Sequence, residues 1–363
     1  MTNRELASFF NISPAAFSLI INHKQGVSAT TRDRVLNELR NMGYSYLIKE
    51  LPDDSKNSQT VSSSIATSSM GNDTSSKNLC FVIFKCDGSI LDTHPFFLLL
   101  IEYLEKRAQR YGYNMLISTV DKRADYISQL NRLNLIDADA LIIFATEMRN
   151  EDLAFLNVLQ KPYLMLDNAF DFNPLNAVAI DNEMGTFQAI EHLVKQGHRR
   201  IGYLAASNRI SSFQERENGY IKALQSFNLE LAGNDRYELS FTEEGSYHDF
   251  IKILETTTDL PDAFVSDDDT IAAGVLRALH EKGYSIPEDI SLIGYNDRPV
   301  CSLLSPALTT VSVSKYSFAV EAVDSIIKIL QNLNDGVDYR TKKIRTATGL
   351  TIRSSVKFIE RFK

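Results

Sequence analysis

Apolar runs and helical patterns alternate along the chain from Leu79 to Gly283. Helical spacing of apolar residues predicts helices near 96–110, 124–134, 183–196, 212–227 and 270–283. Short apolar runs between them predict strands at LCFVIF (79–84), NMLIST (114–119), ALIIF (140–144), NAVAI (176–180), RIGYLAA (200–206) and DAFVS (262–266). Strands and helices that alternate in this way form parallel sheets with helices on both faces. We therefore predict an α/β body made of two doubly wound parallel-sheet lobes.

The first 50 residues follow a different pattern, that of short amphipathic helices. Residues 3–10 fit a first helix, a second follows the suitable N-cap Ser13, and a third runs from about Ser28 to Gly43. The second helix has an apolar side formed by Phe17, Ile20 and Ile21. This outline predicts a small all-α helix-turn-helix head. A helical cap with no role in DNA binding would have the same outline.

A serine-rich segment separates these two patterns. Residues 52–77 contain nine Ser and three Thr among 26 positions. Such a segment buries too little apolar surface to offset its ordering entropy, which predicts a flexible linker. We expect a helix-turn-helix domain at 1–50, a linker at 51–78 and a two-lobed domain at 79–363. The expected lobe bounds are 79–178 with 303–335 for lobe one, and 179–302 with 336–363 for lobe two.

Composition is that of an ordinary globular protein, with 44% hydrophobic and 23% charged residues among 363. The formal net charge is -8, yet residues 1–50 carry six Lys or Arg against four acids, so they are +2 and the remainder is -10. This asymmetry favours an anion-facing head on an acidic body. Three cysteines without CxxC spacing support neither a disulfide framework nor a zinc site. With no signal peptide and no long apolar run, we expect a cytoplasmic protein.

Several motifs, in order along the chain, resemble those of the lactose-repressor (LacI) family of bacterial transcription regulators. The head contains ELASFFNISPAAFSLIINHKQGVSATTRDRVLNELRNMGY, which ends at Tyr44. The body contains HPFFLLLIEYLEKRAQRYGYNMLIS from His94, IDNEMGTFQAIEHLVKQGHRRIGYL from Ile180, RENGYIKAL from Arg216, DAFVSDDDTIAAGVLRALHEKGYSIPEDISLIGYND from Asp262, SPALTTV from Ser305 and LTIRSSV from Leu350. The resemblance implies a periplasmic-binding-protein-like body, a homodimer, a double-stranded DNA operator and a small-molecule effector, usually a sugar, with no cofactor.

The resemblance places the second helix of the head in the DNA major groove. Pro14, Ala15 and Leu19 then occupy its exposed positions, where none can make a bidentate hydrogen bond to a base, although Ala and Leu can contact a thymine methyl. The other implied DNA-binding residues are Ser13, Ser18, Asn22 and His23, and, for the phosphates, Thr30, Thr31, Arg32 and Tyr44. We expect backbone and methyl contacts to dominate.

After Tyr44 the chain departs from the family. Members usually continue with a Pro-Asn pair and an Ala-Arg-x-Leu stretch, which forms a hinge helix in the minor groove, whereas this chain reads SYLIKELPDDSKNS. Leu47 or Leu51 could supply the apolar wedge that insertion needs. An amphipathic tail that packs on the head fits residues 45–51 equally well.

The resemblance also implies the residues that bind the effector. These are Phe96, Phe97, Arg216, Asp268, Asp269, Asn296 and Asp297. Family members usually have Asn-Asp where this chain has Asp268-Asp269, and Asp-Asp where it has Asn296-Asp297. Other roles remain open: Phe96 in core packing, Arg216 in a surface ion pair with Glu215 or Glu217, and the aspartates as a helix cap. A purine-like ligand would suit such a site as well as a sugar.

Catalytic motifs are absent from the sequence. We find no GxSxG, GxGxxG, GxxxxGK[ST] or HExxH, and the consecutive Asp267, Asp268 and Asp269 point in different directions, which disfavours a metal site. We therefore predict that the protein is not an enzyme. We predict instead a DNA-binding transcription regulator, a repressor, that responds to a polar effector. The alternative is a cytoplasmic sugar-binding sensor that binds DNA only non-specifically and acts through a protein partner.

Overall fold

The computed structural model forms two compact units, Met1–Asn72 and Asp73–Lys363. The residues that it describes are 10, 12–21, 26–28, 31–32, 35–36, 77–91, 96–231, 233–257 and 259–360. In the first unit, helix α1 (Pro14–Ile21) begins after Ser13, whose Oγ accepts a hydrogen bond from the Ala16 N–H at 3.1 Å. This bond confirms the predicted N-cap.

Apolar residues form a small core in the described part of this first unit. The predicted apolar side of α1 is buried together with Phe10 and with two residues further along the chain, Val35 and Leu36. The rings of Phe10 and Phe17 stack at 6.2 Å between centroids. The predicted first helix and most of the third lie outside the described residues.

In the second unit, strands and helices alternate as predicted. The strands are β1 (Asn78–Lys85), β2 (Asn114–Asp121), β3 (Ala140–Phe144), β4 (Tyr163–Leu166), β5 (Ala177–Ile180), β6 (Ile201–Ala206), β7 (Arg236–Leu239), β8 (Ala263–Ser266), β9 (Ser291–Tyr295), β10 (Thr309–Val313), β11 (Lys343–Thr346) and β12 (Thr348–Thr351). The helices are α2 (Phe96–Arg110), α3 (Tyr126–Leu135), α4 (Asn182–Lys195), α5 (Ser211–Ser226), α6 (Glu243–Thr256), α7 (Asp269–Glu281) and α8 (Lys315–Asn334). Each of the predicted strands and helices of this body is present, with bounds within two residues of the prediction. None of the described helices is both long and apolar enough to cross a membrane.

The described strands form two six-stranded sheets, which confirms the predicted pair of doubly wound lobes. The first sheet has the order β11-β5-β4-β3-β1-β2 and is parallel throughout. The second has the order β12-β10-β9-β8-β6-β7, and only β12 runs antiparallel to its neighbour. Within each sheet the central strands are buried, as expected where helices cover both faces.

The lobe bounds predicted for the last third of the chain are wrong in two places. β10 pairs with β9 in the second sheet, although residues 303–335 were expected in lobe one, and β11 pairs with β5 in the first sheet, although 336–363 were expected in lobe two. The described chain therefore passes between the lobes at 180–182, 313–315 and 346–348. A run of apolar residues predicts a strand, but this local pattern does not predict which sheet the strand joins.

Helices α4 and α5 pack closely on the second lobe, and a glycine permits this approach. A Cβ at Gly219 of α5 would lie 2.3 Å from the carbonyl oxygen of Glu183 in α4. The obstacle is backbone, so the two helices would have to move apart.

We expect Gly219→Ala to lower the free energy of unfolding by about 1–3 kcal/mol, the usual cost of overpacking. Urea unfolding measures this difference. Gly233→Ala is the control, since a Cβ there meets nothing within 4 Å. Equal stabilities of the two variants would contradict the prediction.

Candidate ligand-binding site

A cavity lies between the two lobes, where strands of both sheets end. Phe144 ends β3 and Asp167 follows β4 in the first lobe, whereas Asp268 and Asn296 follow β8 and β9 in the second. The carboxyl ends of parallel strands are where doubly wound folds bind ligands. The cavity has a volume of ≈ 50 Å³, whereas pockets for drug-sized ligands have about 300–1,000 Å³. A ligand the size of a sugar therefore requires the lobes to separate.

Apolar side chains from both lobes form much of the cavity wall. Leu91, Phe144 and Ile180 come from the first lobe, and Phe213 and Phe241 from the second. The rings of Phe213 and Phe241 lie 5.4 Å apart between centroids. Such rings are suited to the C–H face of a sugar or to the plane of a base.

Arg216 is the buried cation of the site and is only 4% exposed. Its Nε donates to Asn182 Oδ1 at 3.0 Å, Nη1 to the Asp267 carbonyl oxygen at 2.5 Å, and Nη2 to Asn296 Oδ1 at 3.4 Å. The guanidinium also lies 3.8 Å from the centroid of the Tyr295 ring. These contacts fix a forked donor at the cavity wall and exclude the alternative of a surface ion pair.

Beside Arg216, the Asp268 carboxylate and the Asn296 amide are joined by a hydrogen bond. Asp268 is the N-cap of α7: its Oδ1 accepts hydrogen bonds from the Thr270 N–H at 2.8 Å and from the Thr270 hydroxyl at 2.5 Å. Its Oδ2 accepts from Asn296 Nδ2 at 2.6 Å. Asn296 has a φ of 100°, which asparagine tolerates better than most residues. The sequence thus places a carboxylate and an amide on two neighbouring strand ends.

Asp269 and Asp297, which were also expected in the effector site, do not line this cavity. Asp269 accepts hydrogen bonds from the Thr310 hydroxyl at 2.6 Å and from the Arg298 N–H at 2.8 Å. Asp297 accepts from Arg353 at 2.7 Å and from the Thr351 hydroxyl at 3.0 Å. Both carboxylates accept hydrogen bonds from donors of their own lobe, so they hold strands and loops of that lobe together.

The third consecutive carboxylate, Asp267, has partners of its own. It accepts hydrogen bonds from the Tyr203 hydroxyl at 2.5 Å and the Ala206 N–H at 2.8 Å, and it pairs with Arg209. Burial raises the pKa of Asp267 above its usual value. In the described part of the chain, no group of three or more His, Cys, Asp or Glu side chains is placed to hold a metal ion.

Sequence reasoning missed Asp167, a polar group of the first lobe that lines the cavity. It is 9% exposed, accepts a hydrogen bond from the Thr146 hydroxyl at 2.6 Å and has a φ of 76°. Burial raises the pKa of its carboxyl. The available signal was its position directly after the apolar run YLML of β4.

Glu147 was missed as well, although it shapes the loop that forms one wall. Its two carboxylate oxygens accept hydrogen bonds from the backbone N–H groups of Cys86, Gly88, Ile90 and Leu91, each at 2.9 Å. A buried carboxylate with this many donors stabilises the loop strongly. It thereby holds Ile90 and Leu91 against the cavity.

The remaining predicted site residues are described only in part. Phe96 and Phe97 begin α2, and their side chains lie outside the description. In the head, Ala15 and Ser18 are exposed and Leu19 is partly buried, while Thr31 bonds to Ser28 at 2.7 Å between hydroxyl oxygens. Asn22, His23, Thr30 and Tyr44, and the side chain of Pro14, lie outside the described residues. Their contacts with DNA, and those of Ser13 and Arg32, stay predictions.

Comparison with known proteins agrees with this fold. Residues 190–356 match the model of the periplasmic binding protein-like domain. The chain is 28% identical over 338 residues to the HTH-type transcriptional repressor PurR of Mannheimia succiniciproducens, covering 92% of this chain and 96% of the relative. The solved complex of the transcriptional regulator CelR with cellobiose superposes with a TM-score of 0.66 at 20% identity, and the lac repressor dimer bound to operator and the anti-inducer ONPF with 0.65 at 21%. Each of these two structures covers 98% of this chain and is itself covered to 99%.

Two lobes with a cavity at their strand ends define a protein of the periplasmic-binding-protein-like class. The ordered motifs and the full-length relatives narrow this class further. Over nearly its whole length the chain is similar to bacterial transcriptional repressors, and its motifs resemble those of the LacI family. The prediction that it is not an enzyme is confirmed by these relatives, which are named as repressors and regulators.

The site also predicts a pH dependence of stability. Burial, followed by the nearby charge of Asp268, raises the pKa of Asp269 to about 7. An unfolded aspartate ionises near pH 4, so between about pH 4 and 7 the folded state retains a proton that the unfolded state has lost. This group's contribution to the free energy of unfolding therefore falls as pH rises through that window.

The asparagine of Asp269→Asn does not titrate. We therefore expect the free energy of unfolding of this variant, relative to that of the parent, to rise between about pH 4 and 7. Urea unfolding at several pH values measures the difference. Asp259→Asn, at a side chain that is 87% exposed, is the control. A difference between Asp269→Asn and the parent that does not vary with pH would refute the prediction.

Proposed function

We propose that this protein is a sequence-specific DNA-binding transcription regulator, a repressor, whose affinity for its operator is changed by a small polar effector bound between the lobes. The observation that carries the proposal is the chain of hydrogen bonds from Arg216 through Asn296 to Asp268 at an aromatic-walled cavity. A fixed donor next to a fixed acceptor, beside apolar rings, is the usual composition of a pocket for a small polar ligand.

A carbohydrate is the effector class that we favour. The Arg216 guanidinium can donate to hydroxyl oxygens, and the Asp268 carboxylate can accept from hydroxyl groups, while Phe213 and Phe241 suit the ring face. Among the structures similar to this chain, one contains cellobiose and another bound ribose. A purine-like base also combines donors, acceptors and a flat face, so the ligand panel must include both classes.

DNA binding is assigned to the head, with domain bounds at residues 1–50, a linker at 51–78 and the effector-binding body from 79. Ala15 and Ser18 are exposed on α1, and residues 1–50 carry a charge of +2 in an acidic chain, which supports this assignment. A homodimer would present two such heads to half-sites about 10 base pairs apart. A similar structure, the lac repressor, is a dimer bound to operator.

Arg216→Lys tests the effector site. Lysine cannot reproduce the forked hydrogen bonds, and the loss of charge-assisted bonds costs about 1.5–3 kcal/mol, or tenfold or more in ligand affinity. We expect ligand-free operator binding to remain while the response to ribose, cellobiose or a nucleobase is lost, as measured by fluorescence anisotropy.

Arg132→Lys, at an exposed arginine of α3, is the matched control and should respond like the parent. The proposed effector response would be excluded if operator binding by the parent changed with none of the sugars or bases. Parent-like responses in Arg216→Lys would exclude Arg216 as the ligand contact.

Selection of genomic fragments by the full-length protein at near-physiological salt tests the DNA-binding function. We expect a recurring two-fold symmetric motif, and we expect Asn22→Ala to weaken binding to it by about 1–3 kcal/mol, the usual worth of a base contact. Asn157→Ala, on the exposed surface of the first lobe, is the control. The alternative, a sugar-binding sensor, would be supported if the retained fragments shared no motif and if the affinity for every sequence fell equally with salt. Non-specific binding depends on salt in this way because it is driven by counterion release.

A further inference from the structure

A chain of buried polar contacts leads away from the cavity behind Arg216. Arg216 donates through Nε to Asn182 Oδ1 at 3.0 Å, and Asn182 Nδ2 donates to Glu215 Oε2 at 2.8 Å. Asn182 is fully buried, and the Glu215 side chain is only 12% exposed. Both residues therefore depend on protein groups, not water, for their hydrogen bonds.

These contacts fix the orientation of the Asn182 amide. Arginine has only donors, so the amide must turn its oxygen to Arg216 and its nitrogen to Glu215. The carboxylate of Glu215 supplies acceptors on both of its oxygens, one for Asn182 and one for Arg345. A glutamine at 215 would have one acceptor for these two contacts.

The chain of contacts then crosses to the other lobe. Arg345 lies on β11 of the first sheet, and its Nη1 donates to Glu215 Oε1 on α5 at 2.8 Å and to the Ile180 carbonyl oxygen at 3.1 Å. Its Nη2 donates to Asp171 at 3.0 Å. The ion pair thus joins the lobes directly beside two of the chain crossings, where the Asp181 N–H also bonds to the Thr346 carbonyl oxygen at 2.9 Å.

The far end of this chain of contacts returns to the cavity. Asp171 belongs to the loop that follows β4, and the same loop begins with Asp167, which lines the first-lobe wall. The contacts therefore run from Arg216 on one wall, behind the site, to the loop of Asp167 on the other. A ligand that contacts Arg216 and Asp167 would close the ring at the front.

We propose that Glu215 and Arg345 are positioning residues for ligand binding: their ion pair across the lobes holds Asn182, and through it Arg216, in the orientation that receives a ligand. The proposal rests on the proposed function of the cavity as an effector site. Neither residue lines the cavity. Separation of the lobes strains or breaks the pair, so ligand binding and the pair stabilise the same closed arrangement, and the coupling is reciprocal.

The charge of the pair matters because it is largely removed from water. Burial raises the pKa of Glu215, while Asn182 and Arg345 oppose this shift. Removal of one partner leaves the other charge with insufficient compensation, which costs more than the loss of an exposed pair. The exposed pair of Lys222 with Glu183, which joins α5 to α4 within one lobe, is the matched comparison.

The first test is hydrogen exchange of the ligand-free, full-length protein. We expect Glu215→Gln and Arg345→Met to speed exchange in the crossing segments 180–182 and 346–348, and the double variant to exchange no faster than the more affected single variant. Lys222→Met should match the parent. Unchanged exchange in the two single variants, or a double effect equal to the product of the single effects, would overturn the proposal.

The second test is calorimetric titration with D-ribose and with cellobiose. For whichever sugar binds the parent, we expect Glu215→Gln and Arg345→Met to weaken binding about tenfold, as for the loss of a charge-assisted bond. Arg345→Lys, which retains the charge, should recover part of this loss, whereas a purely structural defect would not be relieved in this way. Parent-like affinity in both single variants would overturn the proposal while leaving the effector site intact. If the parent binds neither sugar, the carbohydrate assignment fails, and the ligand-free exchange still decides the role of the pair.

Discussion

Buried carboxyl groups at the strand ends are the constraint on which the rest of this structure depends. A carboxylate removed from water must find donors within the protein. Asp267, Asp268 and Asp269 are fully buried, and each recruits separate donors from strands, helix starts and neighbouring loops. Glu147 does the same with four backbone N–H groups of a single loop. The loops that surround the cavity are therefore fixed by hydrogen-bonded carboxyl groups before any ligand arrives.

The crossings of the chain between the lobes allow the two walls of the cavity to move relative to one another. Each lobe has its own sheet, and β11 and β12 are separated by a single residue although they belong to different sheets. Such short connections allow rotation of one lobe against the other with little change inside either. The small volume of the cavity shows that the described arrangement is nearly closed. Polar contacts across the lobes, above all Glu215 with Arg345, then determine how readily it opens.

Periodicity predicted the fold well because buried parallel strands are continuous apolar runs. It did not predict β4, β7, β10 or β11; the sequence RYEL of β7 alternates at the edge of a sheet, and the expected lobe bounds put the segments of β10 and β11 in the wrong lobes. Of the residues that the motifs implied for the effector site, Arg216, Asp268 and Asn296 line the cavity. Asp167 and Glu147 have no motif, and their importance comes from folded partners distant in sequence. Asp269 and Asp297 belong to the same motifs yet face their own lobe, since adjacent side chains diverge.

The departures from the family at 268 and 296 compensate for one another. Family members usually place an amide at the first of these positions and a carboxylate at the second, and this chain places them the other way round. The hydrogen bond from Asn296 Nδ2 to Asp268 Oδ2, at 2.6 Å, joins the two groups in this reversed arrangement. The negative charge of the pair therefore lies at the start of α7, where the helix dipole favours it, and Arg216 meets an amide oxygen instead of a carboxylate. Because Arg216 is less neutralised by this neighbour, it remains a stronger donor for the acceptor atoms of a ligand.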